Sequence, residues 1–140
     1  MIQAAYNVGQ RDFGENKVQE LVDKESLLPK DIRWHLIGKL QTNKVKYIVN
    51  KVCLIHSLSS IKLLNKIESE FKKANAIANV LIQINIGRET SKSGIYEEEL
   101  EEMLEAIEHC SYVKAKGIMV IIPKGNEYEN RLYFKRTNII

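Results

Sequence analysis

Five short runs of apolar and β-branched residues, each parted from the next by a stretch of helical periodicity, leave this chain few folds to adopt. The runs fall at about 11–14, 32–38, 52–58, 79–86 and 113–122, and each is bounded by polar residues or glycine, as buried strands are. Between them the apolar residues change spacing. In 97–110, Leu100, Met103, Leu104 and Ile107 recur at i, i+3, i+4 and i+7, so they form one stripe with glutamates over the remaining surface. In 59–75 a serine pair suited to capping precedes Ile61, Leu64, Ile67 and Phe71 on one side. Segments 16–24 and 42–50 are shorter helical candidates. Strand alternating with helix through five strands predicts a parallel sheet with crossover helices.

A complete eight-stranded α/β barrel needs about 250 residues, whereas this chain has 140. An open arc of five strands leaves two unpaired edges, a liability that closure removes. The expected fold class is therefore α/β, a (β/α) TIM-type barrel of which about five of eight strands are present, in a single partial domain spanning 1–140. The ends agree with that expectation. Residues 1–8 read as the last turns of a helix stopped at Gly9, with no preceding strand for it to have come from. A further helix begins at 127 after Pro123 and Gly125, and from Arg136 its amphipathic pattern is lost. Residues are expected on both sides.

Composition is that of a globular domain, 44% apolar and 28% charged. The formal charge of +3, from 21 basic and 18 acidic residues, is small and dispersed, so no nucleic-acid surface is expected. The densest basic stretch, 39–51, is interleaved with Leu40, Val45, Tyr47, Ile48 and Val49 and reads as an outer helix face. Cys53 and Cys110 lie far apart without metal-ligand spacing, which predicts reduced thiols in a cytoplasmic protein. No apolar run approaches the roughly 20 residues that span a bilayer, so no membrane partner is expected.

Barrel strands alternate between lumen and helices, and functional side chains gather at their carboxyl ends. In 80–86, Val80, Ile82, Ile84 and Ile86 share the helix-facing parity, while Leu81, Gln83 and Asn85 grow polar toward the strand's end. In 32–38 the split sets Ile32, Trp34 and Leu36 against Arg33, His35 and Ile37, making His35 a lumen candidate as well as an ordinary satisfied strand histidine. Met119 shares a parity with Gly117 and Ile121 and by itself reads as core. Two loops carry chemistry. Phe13-Gly14-Glu15-Asn16 allows a tight turn at Gly14 and puts an amide at the barrel mouth, although Asn16 equally suits a helix cap. Ser91-Lys92-Ser93-Gly94-Ile95 combines hydroxyls, a cation and glycine, a mixture that suits an anion and is also common in ordinary loops.

Four linked segments resemble the successive signatures of the YggS-type pyridoxal 5'-phosphate homeostasis family, in the family's order and over nearly the whole chain. They are Arg11-Asp12-Phe13-Gly14-Glu15-Asn16 with Val18-Gln19-Glu20; Trp34-His35-Leu36-Ile37-Gly38-Lys39-Leu40-Gln41-Thr42-Asn43-Lys44; Val80-Leu81-Ile82-Gln83-Ile84-Asn85-Ile86; and Ser91-Lys92-Ser93-Gly94-Ile95. The resemblance implies an alanine-racemase-like barrel that holds pyridoxal 5'-phosphate as a Schiff base and buffers and delivers this small-molecule cofactor without turnover of its own. It implies a cofactor site drawn from Asn16, beside the ring, and from His35, Ser57 and Met119, lining the pocket. It places the Schiff-base lysine before Met1 and the phosphate loops beyond Ile140. Lys17 stands where the family usually has an aromatic residue.

Two other readings remain. A racemase-like barrel enzyme, acting on an amino acid or a phosphorylated substrate, would use His35 as general base. The third, non-catalytic reading is that this chain folds only by joining its open edges to a second copy, or does not fold stably alone, whereas the complete protein is expected to be a monomer.

Overall fold

The computed structural model describes residues 1–89, 92–122, 125 and 127–139. Five strands form one sheet in the order of the chain: β1 (Asp12–Glu15), β2 (Arg33–Leu36), β3 (Leu54–Leu58), β4 (Ala78–Ile84) and β5 (Val113–Val120). Every neighbouring pair is parallel. The strand order never reverses, whereas a doubly wound sheet requires a reversal. Right-handed crossovers then bring the intervening helices to one face, which is the arrangement of a (β/α) barrel wall.

That face is the core. Trp34, Leu36, Ile55, Leu58, Val80, Ile82 and Ile84 are all buried there, and the strict alternation along β4 follows the parity read from the sequence. The helices are α1 (Ile2–Asn7), α2 (Val18–Leu27), α3 (Ile61–Lys73), α4 (Leu100–Glu108) and α5 (Glu127–Ile139). In α3 the Ser60 hydroxyl accepts the Leu63 N–H at 3.1 Å as a true N-cap. The helix buries Leu63, Leu64, Ile67 and Phe71 and ends where Asn75 takes a left-handed φ of 51°. None of the helices is long and apolar enough to cross a membrane.

Several expectations need correction. Segment 42–50 forms a 3-10 helix, Thr42–Tyr47, in place of an α-helix. Its buried anchors Val45 and Ile48 are three residues apart, which matches three residues per turn. In α4, Met103 and Ile107 carry the burial while Leu104 is left 45% exposed. The weak amphipathic pattern of the last helix agrees with the sequence, and the helix continues to Ile139, where Thr137 donates to the Tyr133 carbonyl at 2.8 Å and Arg136 pairs with Glu97. Gly14 lies within β1 and makes no tight turn. Its missing side chain is room for Ile37, whose Cδ1 would stand 2.2 Å from a Cβ there.

Two register shifts lie on either side of Leu81. Between Ile55 and Leu58, β3 has one more residue than β4, and between Ala115 and Gly117, β5 does the same. Bulges of this kind re-aim side chains beside functional sites. Ser57 falls within the first and is 1% exposed.

Candidate functional site at the carboxyl ends of the strands

A parallel sheet delivers all of its strand ends to one rim. The loops after β1 and β2 meet there through backbone: the Ile37 N–H donates to the Glu15 carbonyl at 2.9 Å, and a Cβ on Gly38 would lie 2.2 Å from the Asn16 carbonyl oxygen. Only glycine allows this approach. The loop after β4 folds back on its own strand. Ile95 bridges Ile84 in parallel, its N–H donating to the Gln83 carbonyl at 2.9 Å and its carbonyl accepting from Asn85 at 2.8 Å. The Asn85 side chain, 6% exposed, donates to the Glu89 carbonyl at 2.6 Å and accepts the Glu89 N–H at 3.1 Å. Gly94 closes the turn with φ +121°, where a Cβ would lie 2.9 Å from the Asn85 nitrogen.

These loops enclose a cavity of about 230 Å³ lined by Ile37, Gly38, Lys39, Gln83, Lys92, Ser93 and Met119, among others. Gln83 and Met119 are register partners on the lumen face, and the Gln83 amide donates to the Ser93 carbonyl at 3.2 Å. A second cavity of about 270 Å³ adjoins it at Lys39 and is lined by Asn16, Lys17, Gln41 and Lys44. The rim therefore offers aliphatic contacts, several side-chain amides and several cations in one place. A larger cleft, about 410 Å³, is lined among the described residues by α5 and gathers no such set there.

The residues expected at the site are distributed as follows. Asn16 sits in the bend directly after β1, exposed at the rim. It does not cap α2, because the N-cap position is Lys17 and no side-chain cap bond forms. Met119 lines the cavity. Ser57 is buried in the β3 bulge, its Oγ without a hydrogen-bond partner among the described residues. His35 faces the lumen below the rim, level with Gly14. Its Nδ1 lies 2.9 Å from His56 Nε2 and its Nε2 3.2 Å from Asp12 Oδ1. Of the anion-suited loop, Ser91 lies outside the described residues, as do Pro123 and Lys124 of the later turn.

Sequence alone made His35 a lumen candidate but gave no sign of the group around it, which includes His56. Arg33 donates to both oxygens of Asp12 at 2.8 Å, and together with His35 it holds the Asp12 carboxyl well below the usual carboxylate range. Burial, and then the neighbouring His35, lowers His56. Burial, and then the charge of Asp12, raises the Cys53 thiol. The available signal was the pairing of adjacent parallel strands, which sets Asp12 beside Arg33 and Gly14 beside His35.

A family profile described as the alanine racemase N-terminal domain matches residues 1–139. The chain is 43% identical over 138 residues to the pyridoxal phosphate homeostasis protein of Aquifex aeolicus, covering 97% of this chain and 60% of that protein. The solved structure of PipY from Synechococcus elongatus without PLP superposes with a TM-score of 0.91 at 32% identity, covering 99% of this chain and 66% of PipY. PipY with PLP bound gives 0.86 at the same identity, covering 99% and 65%. The chain thus spans somewhat under two thirds of the length of these relatives.

Proposed function

The chain belongs to the alanine racemase N-terminal domain family, and from that premise we propose that it forms the ring-facing part of a pyridoxal 5'-phosphate carrier of cofactor homeostasis. The rim carries this reading. A flat heteroaromatic ring with polar substituents and a phosphate calls for apolar contacts, amide hydrogen bonds and positive charge. Met119 and Ile37 would supply the first, Asn16 and Gln83 the second, Lys39 and Lys92 the third. Freed from capping duty, the Asn16 amide is available to a ligand. Ser57 and His35 would support this floor from below. When bound, the cofactor supplies an aldehyde that captures amines. The chain's own residues would seat the ring, with Lys39 and Lys92 adding positive charge at its margin, and the covalent lysine and the phosphate-binding loops would come from segments outside residues 1–140. PipY is a relative whose PLP-bound structure is known, and curated relatives carry the homeostasis name.

The catalytic alternative draws less support. A general base needs a nitrogen directed at substrate, and both ring nitrogens of His35 are taken by His56 and Asp12. The two free cysteines suit the reducing cytoplasm proposed for the carrier.

Borohydride reduction after mixing with pyridoxal 5'-phosphate, followed by mass spectrometry, tests the proposal. The 140-residue chain should give no stoichiometric single-site adduct, and a version extended at both ends should give one. An extended version that forms none overturns the carrier reading, and racemase activity in it would favour the enzyme.

A further inference from the structure

On the lumen face, toward the amino ends of the strands and away from the rim, ligand-type side chains from three consecutive strand segments converge. We propose that Asp12, His35 and Cys53 form a binding site for a thiophilic divalent cation of the zinc class, with His56 orienting His35. One carboxylate oxygen, one imidazole nitrogen and one sulfur lie within 4.8 Å of one another. Ligands around a tetrahedral zinc with bonds of about 2.0–2.3 Å stand roughly 3.3–3.8 Å apart, so small side-chain rotations close the set. The backbone fixes the starting points: Asp12 pairs with Arg33, two residues before His35, and the Cys53 N–H donates to the Trp34 carbonyl at 2.8 Å.

The histidine pair bears on the site through the tautomer of His35. If His56 Nε2 accepts, the His35 proton resides on Nδ1, and the Nε2 lone pair faces a carboxylate oxygen 3.2 Å away. That contact is attractive only with a cation between the two atoms. If His56 donates instead, the His35 proton occupies this same position, where a metal ion replaces it. In the first tautomer an added cation satisfies the contact, whereas in the second the Nε2–H···Oδ1 hydrogen bond already does, and an ion must displace that proton. A ligand histidine whose other nitrogen is tied to a neighbour is the usual outer support of zinc.

The charges balance. Binding of the dication turns the Cys53 thiol into a thiolate and releases one proton to solvent, while the Asp12 carboxylate supplies the second negative charge and a water molecule completes the tetrahedron. Arg33, whose side chain is 58% exposed, withdraws from the carboxylate oxygen that the ion takes. A thiolate and an imidazole select zinc over magnesium or calcium.

Cobalt(II) is the probe, used on the unsubstituted chain without pyridoxal 5'-phosphate, so the outcome is independent of the carrier proposal. One equivalent should produce a thiolate-to-cobalt charge-transfer band and tetrahedral d–d bands, and zinc should bleach both. Cys53→Ser should abolish the charge-transfer band and Cys110→Ser should retain it. His56→Gln should weaken binding about 10- to 100-fold. Absence of the band in the unsubstituted chain, or its survival in Cys53→Ser, overturns the proposal. Should Cys53→Ser fail to fold, peptide mapping of iodoacetamide labelling in the unsubstituted chain decides. Zinc must protect Cys53 and spare Cys110, and equal labelling of the two with zinc present overturns the site.

Discussion

Gly38 and Asn16 meet backbone to backbone: a Cβ on Gly38 would lie 2.2 Å from the Asn16 carbonyl oxygen and 2.9 Å from its carbon. No flexible side-chain tip is there to yield. Gly38→Ala must therefore part the loops after β1 and β2, at a cost of about 1–3 kcal/mol by analogy with overpacking. Urea midpoints measure the loss. In an extended, cofactor-competent version, cofactor affinity should fall beyond what the lost stability explains.

The Glu68 carboxylate reaches from α3 to the turn before β5, accepting the N–H groups of Ser111 and Tyr112 at 2.9 and 2.6 Å. Hydrogen bonds to a charged acceptor contribute about 1.5–3 kcal/mol. Glu68→Ala should destabilise the chain by about that amount in chemical denaturation, and Glu68→Gln, which keeps one acceptor oxygen, should recover part of it. Equal losses in the two variants would mean that charge and not hydrogen bonding holds the turn.

How much was legible in the sequence follows from the range of each interaction. The buried parity of β4, the Ser60 cap and the stop at Gly9, with its φ of 106°, are set by neighbours within a turn or a strand, where period and residue type are direct readouts. The reach of Glu68 to Ser111 spans 43 positions and leaves no periodic trace. The Asp12–His35–His56 chain was hidden in the same way, because it depends on lateral register between strands about 20 residues apart. At the rim, Asn16 and Met119 were identified through family resemblance, whereas Lys39 and Gln83 become neighbours of one cavity only once the strand ends are aligned.

Acid stability should depend on Tyr6. Its hydroxyl donates to Asp31 at 2.6 Å and, as the largest influence, lowers the Asp31 carboxyl from its ordinary 3.8, with Arg11 helping. A depressed carboxyl stabilises the fold at pH above its unfolded value, and that contribution is lost as pH falls through the lower folded one. Tyr6→Phe should therefore reduce stability at neutral pH and flatten the decline below about pH 4. Thermal unfolding from pH 2 to 7 measures both, and an unchanged slope would refute the assignment.

Among the described residues the outer strands β1 and β5 each pair on one side only, and exposed edges of this kind template association. Size-exclusion chromatography of this chain should show concentration-dependent dimers. Ala115→Pro, at a position whose N–H the parallel ladder turns away from β4, should shift them toward monomer if β5 is the joining edge.

Because 85–89 and 92–95 are tied to β4 and to each other by main-chain bonds and by the Asn85 side chain, the mouth keeps its outline whatever decorates it. Lys92 and Ser93 hang from this frame as interchangeable fittings, so ligand preference can drift by substitution there while the frame stays in place.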